Sequence, residues 1–380
     1  MHRYLTEDHQ IFREGFRTFL QKEVVPHLDK WEREGKIDKD IWLKFGEMGY
    51  FGIDYAEEYG GLGLDKFYTL IWLEEMQRIN SGGFAAAMWA HAFLAMQHLN
   101  AEGDDRIKQE YLVPSIEGKK IGCLCITEPF AGSDVAGMKT TAVKDGDSYV
   151  INGSKTFITC GQQADLVILV CKTDPSAGAK GTSLILVEAG TPGFEKGKNL
   201  EKLGMKAQDT SELFFNDVRV PKENLLGQEG MGFIALMEEL PQERLSIGLM
   251  AVAAMESVMQ TTIDYVKERQ AFGRPVSAFQ NTQFKLAELD SEVTALRVFV
   301  DHCLQLHLKG QLDAIMASKA KLLAAELQCK VVDECLQLHG GYGYMWEYPI
   351  ARAYADSRVQ KIYGGTSEVM KLIIDRALLT

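Results

Sequence analysis

Asp145-Gly146-Asp147-Ser148-Tyr149-Val150-Ile151-Asn152-Gly153-Ser154-Lys155-Thr156-Phe157-Ile158-Thr159 separates this sequence from an ordinary helical protein. Two pairs, Asp145-Gly146 and Asn152-Gly153, are hairpin signals, because the tight turns that suit twisted strands need positive φ. Around them β-branched and aromatic residues dominate, as strands require. The same texture runs outward from Ile121 to about Leu226. A-D-L-V-I-L-V-C and T-S-L-I-L-V-E-A are short apolar runs that read as buried strands. S-E-L-F-F-N-D-V-R-V-P closes the block at Pro221, which cannot donate to a ladder. No helical pattern interrupts these runs, which predicts an antiparallel sheet rather than alternating βαβ units.

On either side the period changes to that of helices. N-terminal to the block, Thr6 stands as a cap ahead of Ile11, Phe12, Phe16, Leu20 and Val24, which share one helical face. Helices are expected around Asp40–Met48, Phe67–Ile79, Phe84–Leu99 and Asp104–Ile116, separated by the Gly-rich breaks at 59–64 and 81–83. C-terminal to it, four long amphipathic segments at about 231–269, 278–308, 311–338 and 349–379 predict a four-helix bundle. The expected fold is α+β, mostly α, in three domains: helical at 1–120, antiparallel β at 121–228 and bundle at 229–380.

The 380 residues are 46% hydrophobic and 25% charged, with 41 Lys and Arg against 53 Asp and Glu, a net charge of −12. That composition suits a packed globular chain. An acidic chain argues against a nucleic-acid or membrane-surface binder. No run of about 18 apolar residues is present, so no membrane span is expected. The first residues, M-H-R-Y-L-T-E-D-H-Q, lack a signal-peptide core and read at once as helix. Seven cysteines in no paired spacing point to free thiols in a reducing compartment, not secretion. Cys123 and Cys125 have no histidine cluster near them, so no metal site is expected.

Two segments carry candidate chemistry. Ile126-Thr127-Glu128-Pro129-Phe130-Ala131-Gly132-Ser133-Asp134 gathers small and hydroxylated residues that let a backbone approach a ligand and offer donors; taken alone, it also fits a turn. Phe157 and Thr159, two apart in one strand, fall on one face. That suits a ring against a flat heterocycle with a hydroxyl at its rim, or ordinary cross-strand packing.

Together, T-E-P-F-A-G-S-D, N-G-S-K-T-F-I-T, V-P-K-E-N-L-L-G, E-R-Q-A-F-G at 268–273, C-L-Q-L-H-G-G-Y-G-Y at 335–344 and I-Y-G-G-T-S-E-V at 362–369 resemble the acyl-CoA dehydrogenase family in order and spacing. The resemblance implies that family's helix–β–bundle plan, an FAD cofactor, an acyl-CoA substrate and a tetramer, a dimer of dimers, that passes electrons to an electron-transferring flavoprotein. It implies a cytoplasmic enzyme in a bacterium or a matrix enzyme in a mitochondrion. Carried over by position, Thr127, Ser133, Phe157 and Thr159 would meet the flavin, with Ser133 also at the acyl-CoA. Arg269, Phe272, Gln280, Gln337, Gly340 and Gly341 would reach FAD across a subunit interface. Thr366 and Glu368 would add further FAD contacts. Arg244, Tyr363, Gly364 and Gly365 would meet the substrate, and the alanines of Phe84–His91 fall where the family lines its acyl pocket. Phe157 stands where many members have Trp.

In the family's reaction a base removes the proton alpha to the thioester carbonyl while hydride leaves the beta carbon. Many members carry the base in I-Y-E-G-T. Here the string is Ile362-Tyr363-Gly364-Gly365-Thr366, and Gly364 has no carboxylate. In the long-chain and isovaleryl-type members, which this chain resembles most, the base is the Glu of an E-R-L string. That string falls within E-E-L-P-Q-E-R-L at 238–245 and assigns the role to Glu243. Gly364 would keep the backbone N–H that meets the enolate oxygen. Two alternatives share the scaffold: an oxygen-using acyl-CoA oxidase-like enzyme and a non-catalytic flavoprotein.

Overall fold

The computed structural model describes residues 5–379; Met1 to Tyr4, part of the stretch expected to begin as helix, lie outside it. The first region holds α1 (Glu7–Phe19), α2 (Leu28–Glu34), α3 (Lys39–Glu47), α4 (Lys66–Gln77), α5 (Gly82–Trp89), α6 (Met96–Glu102), α7 (Asp105–Ile107) and α8 (Val113–Ile116). Thr6 caps α1, its hydroxyl accepting from the His9 N–H while His9 Nδ1 accepts from the Thr6 N–H. α2 has no counterpart in the periodicity; it is seven residues between Pro26 and the left-handed Gly35, held by buried Trp31. Between α5 and α6 the chain takes one wide π turn, Ala90–Ala95.

Eight strands follow: β1 (Gly122–Cys125), β2 (Thr141–Asp145), β3 (Ser148–Thr159), β4 (Leu166–Lys172), β5 (Thr182–Glu188), β6 (Phe194–Asn199), β7 (Thr210–Pro221) and β8 (Leu225–Leu226). They form one sheet in the order β6-β7-β3-β2-β4-β5-β8, with β1 on β4. Most pairings are antiparallel, but β1 runs parallel to β4 and β2 meets β4 in parallel at Thr141 and Lys172. The wholly antiparallel expectation is corrected there: the long connection from 126 to 140, with only a 3₁₀ turn at Val135–Gly137, lets the chain cross back without an α-helix. Asp145-Gly146 does turn β2 into β3, with Gly146 at φ 62. Asn152-Gly153 does not turn. It lies inside β3 at a register shift against β7. A Cβ on Gly153 would sit 2.4 Å from Thr140 Oγ1, so close approach, not reversal, explains that glycine.

The C-terminal region is helical: α9 (Gly232–Glu268), then a two-stranded hairpin of β9 (Gln270–Ala271) and β10 (Arg274–Pro275), then α10 (Gln280–Leu308), α11 (Ala314–His339), α12 (Pro349–Ser357) and α13 (Ser367–Leu379). The fourth expected segment, 349–379, is therefore two helices. α12 gives way to a 3₁₀ turn at Arg358–Lys361, Gly364 and Gly365 at φ 62 and 96 keep the chain out of the helix, and Thr366 starts α13 by accepting the Val369 N–H on its hydroxyl. α9 is long and apolar enough to cross a membrane, but 72% of its apolar window is buried, packed against α11 and α4 as a bundle core.

A buried charge network clamps the two helical regions together. Glu74 of α4 receives Arg13 from α1 at 2.9 Å and Arg297 from α10 at 3.0 Å, and Arg297 also holds Glu256 of α9. All seven cysteines are free, and only Cys329 is not fully buried.

Candidate active site

Pro241 interrupts the hydrogen bonding of α9, since it has no N–H to give. Two residues on, Glu243 points into the wall that α9 shares with α4 and the Ala90–Ala95 turn. The turn is pinned from outside. The Trp89 indole N–H donates to Ser246 Oγ at 2.9 Å, and the Ser246 hydroxyl donates to the Glu243 carbonyl at 2.7 Å. Glu243 lines a small slot of about 40 Å³ with Thr69, Leu70, Leu73, Phe93 and Leu249 and with the polar Asp54, Lys66 and His307.

The Glu243 side chain is 11% exposed, and its carboxylate has no hydrogen-bond partner among the described residues. Burial, with the negative Glu239 one turn earlier, lifts its pKa to about 8, against the opposing pull of Arg244. Glu239 is also raised by burial, but Gln97 bonds it. Glu243 is thus a carboxylate whose proton affinity is set high by a dry wall, the property a general base needs.

Arg244, buried beside it, turns the other way. Its guanidinium reaches Ser318 Oγ at 3.4 Å and lies next to Gly365. The Lys321 ammonium, fully buried, donates to the Gly365 carbonyl at 2.6 Å. Burial and the nearby Arg244 bring Lys321 down to about 8. The Lys321 bond holds the left-handed Gly364-Gly365 step, with Arg244 packed beside it, and sequence reasoning had not singled out Lys321. The Tyr363 ring packs edge-on to Trp89 at 6.3 Å. A Cβ on Gly364 would lie 2.6 Å from Ile247 Cδ1, so this loop is shaped for glycine.

The loop and the strand read as separate signals are one piece. The Thr127 carbonyl accepts the Thr156 N–H at 2.9 Å. Buried Lys155 donates to the Ile126 carbonyl at 2.9 Å and to Glu128 at 2.8 Å, and Glu128 also accepts the Lys139 and Thr140 N–H groups. That pair was missed, because nothing in a strand's periodicity marks a lysine as buried. It braces a bulge in which Phe157 takes φ 59 and presents its ring 66% exposed. Ser133 is exposed in the same loop, and Thr159 is half-buried.

A second group forms elsewhere. Arg269, Gln337, Gly340 and Gly341 line one open pocket of about 520 Å³, where the Arg269 guanidinium stacks 5.3 Å above the Tyr342 ring. Phe272, 97% exposed at φ 51, is the tip of the β9–β10 hairpin, with Gln280 exposed at the start of α10. This pocket is lined by none of Thr127, Ser133, Phe157 or Thr159. Thr366 caps α13, and Glu368 is exposed on its first turn.

His91 is structural: buried, with Nε2 on the Ser115 carbonyl and Nδ1 accepting the Gly122 N–H. The alanines at 85–87 are closely packed and do not line the slot beside Glu243.

The pieces fit a flat cofactor. Phe157 offers an open aromatic face, and a Cβ would meet nothing within 4 Å at Gly132, Gly340 or Gly341, leaving space for a bound group against the backbone. An exposed aromatic platform in the sheet and a buried proton acceptor in the bundle are the two groups that a flavin-dependent oxidoreductase needs.

Family models bear on the chain almost end to end: "Acyl-CoA dehydrogenase, N-terminal domain" at 6–119, "middle domain" at 123–218 and "C-terminal domain" at 230–379. The long-chain specific acyl-CoA dehydrogenase of mouse mitochondria is 48% identical over 380 residues, 100% of this chain and 88% of the relative. The crystal structure of an acyl-CoA dehydrogenase from Geobacillus kaustophilus superposes with TM-score 0.97 at 46% identity, covering 100% of both chains. A glutaryl-CoA dehydrogenase from Mycobacterium smegmatis, solved with FADH2, superposes with TM-score 0.93 at 30% identity, covering 100% of this chain and 96% of the other. The chain belongs to the acyl-CoA dehydrogenase family, and its cofactor is FAD.

Proposed function

We propose that this enzyme oxidises a saturated long-chain acyl-CoA to the trans-2-enoyl-CoA and that Glu243 is its base. One observation carries the assignment: Glu243 is an unbonded carboxylate held at about 8 in a buried wall, while position 364 is glycine. Glu243 takes the proton alpha to the thioester carbonyl. The Gly364 N–H, in the loop that Lys321 holds at the Gly365 carbonyl, donates to the thioester oxygen as negative charge grows there. FAD, when bound, supplies the hydride acceptor. Thr127, Ser133, Phe157 and Thr159 hold its ring system. Arg269, whose planar fork matches diphosphate oxygens, serves with Phe272, Gln280, Gln337, Gly340 and Gly341 the FAD of a neighbouring subunit, and Thr366 and Glu368 complete the set. Tyr363 and Gly365 line the substrate.

The same reading gives a homotetramer that passes electrons to an electron-transferring flavoprotein, in a mitochondrial matrix or a bacterial cytoplasm. It divides the chain into domains at 1–120, 121–228 and 229–380. Support for long chains comes from the named activity of the mouse relative.

The test is anaerobic. The protein should purify yellow with about one FAD per chain, and saturated acyl-CoA should bleach the flavin fastest at long chain lengths. Reduced, product-bound enzyme should react slowly with oxygen and quickly with the partner flavoprotein. A protein that takes up no FAD would sink the reading. Equal turnover with oxygen would make it an oxidase.

A further inference from the structure

Two histidines are completely buried near the site, and they differ in one respect. His91 has partners for both ring nitrogens. His98, on α6, has a partner for neither. Its Nε2 lies 3.9 Å from Glu243 Oε1. A buried imidazole with two unbonded nitrogens is costly, and such orphans in folded proteins call for an explanation in function.

We propose that His98 is a positioning residue for Glu243: its neutral imidazole donates an N–H to the Glu243 carboxylate, holding the carboxylate in its ionised form and aimed at the substrate. This rests on the reading of Glu243 as the base. A swing of the carboxylate by about 1 Å brings the pair to hydrogen-bond distance. Burial lowers His98 to about 4, so the ring is uncharged at working pH and carries one N–H. That matters chemically. Desolvation outweighs the pull of Arg244 and would leave Glu243 largely protonated at neutral pH, whereas a second cation bonded to it would make it too weak a base. A neutral donor favours the anion without adding a full charge.

The other charged or titratable groups around Glu243 come from each packed element. Glu239 and Arg244 lie on α9 itself, Lys66 at the start of α4, Asp54 in the loop before it and His307 on α10; Glu102 of α6 faces Glu239, and Lys321 of α11 faces Arg244. Asp54 and Lys66 neutralise each other as an ion pair. None of these groups donates a hydrogen bond to Glu243, which leaves His98 as the donor within reach.

The experiment is rapid-mixing reduction of the bound flavin by acyl-CoA across about pH 6 to 9.5, in wild-type holoenzyme and in His98→Leu, His98→Gln and Glu243→Gln. Removing the donor and adding an apolar surface both penalise the anion. His98→Leu should therefore move the acidic limb of the reduction rate up by about one pH unit, slowing the reaction about tenfold below the limb and little above it. His98→Gln places an amide N–H near the former Nε2 and should return the limb toward the wild-type position. If His98→Leu fails to fold or to hold FAD, His98→Met makes the same comparison. An unmoved limb in the apolar variant, or no rescue by Gln, overturns the proposal and makes His98 a packing residue. The Glu243→Gln arm separates the two readings. If that variant reduces its flavin at wild-type speed, the base assignment fails and His98 falls with it. If it is slow while the limb in His98→Leu stays put, the role of His98 alone is refuted.

Discussion

Glu128 and Glu243 are both carboxylates inside the protein, and the chain treats them in opposite ways. For Glu128, burial would raise the pKa, but Lys155, Thr140 and the Lys139 N–H bond it and hold it below the ordinary value. Glu243 receives no bond, and burial wins, up to about 8. Two carboxylates inside the protein therefore show opposite chemistry, and the donors built around Glu128 but not around Glu243 account for the direction of each. The sheet uses a charge pair as a brace for the loop at Thr127 and the bulge at Phe157. The bundle holds its carboxylate without a donor at hydrogen-bond distance among the described residues, which keeps it basic, and sets His98 3.9 Å away as the group placed to temper it.

The contrast breaks most visibly at the brace. Lys155→Met would strand Glu128 without its cation and should lower unfolding free energy by about 3–5 kcal/mol, the usual effect of unpairing a buried charge. Loosened FAD binding should accompany it, and chemical denaturation with flavin release would register both. The stabilisation from Glu128 is present above its unfolded value of 4.5 and fades as pH falls through its lower folded value. A variant with wild-type stability at pH 7 would mean that the pair is not a brace.

At Glu243 the sign reverses. Its folded pKa is raised, so the wild type is favoured while the group is protonated and loses stability as pH climbs from about 4.5 to about 8. Glu243→Gln does not titrate. It should be more stable than wild type by about 2–4 kcal/mol at pH 9 and nearly equal at pH 5. Melting curves at the two pH values check this; a difference independent of pH would refute the buried, unsatisfied state.

A smaller effect tests the glycine loop. Moving the carboxylate, as Glu243→Gly with Gly364→Glu, places a side chain at φ 62 and against Ile247 Cδ1. The strain should be about 1–3 kcal/mol, so the double variant should recover only part of the rate lost in Glu243→Gly. Adding Ile247→Val should recover about tenfold more, worth 1.36 kcal/mol of barrier. No gain from trimming Ile247 would show that the loop, not the clash, forbids the other arrangement.

Much of this was legible beforehand, for physical reasons. A change from period 3.6 to strand composition at Ile121, and back near Gly230, marks the layers, because a helix and a strand bury apolar residues at different spacings. The proposed base was read from two positions together, carboxylate absent at 364 and present at 243, and the structure adds that Glu243 is buried without a hydrogen-bond partner among the described residues. Other features were not. Asn152-Gly153 carries a turn's residues but serves a close approach to Thr140. Lys155 and Lys321 are buried cations whose partners lie far away in sequence, and no local pattern encodes that. His98 was passed over because a histidine on a helix looks the same whether its nitrogens are bonded or not. The break at Gly364-Gly365 was visible as two glycines, yet the helical period on both sides concealed it.

The central claim is that Glu243 removes the alpha proton, and single-turnover flavin reduction in Glu243→Gln tests it most directly. The change is nearly isosteric and leaves the wall intact, so fold and FAD content should be kept. Reduction by saturated acyl-CoA should slow by about 10²–10⁴-fold, as the loss of a general base requires, whereas Glu238→Gln and Glu239→Gln should remain close to wild type. Reduction of Glu243→Gln at near wild-type rate would contradict the account and pass the role to Glu239.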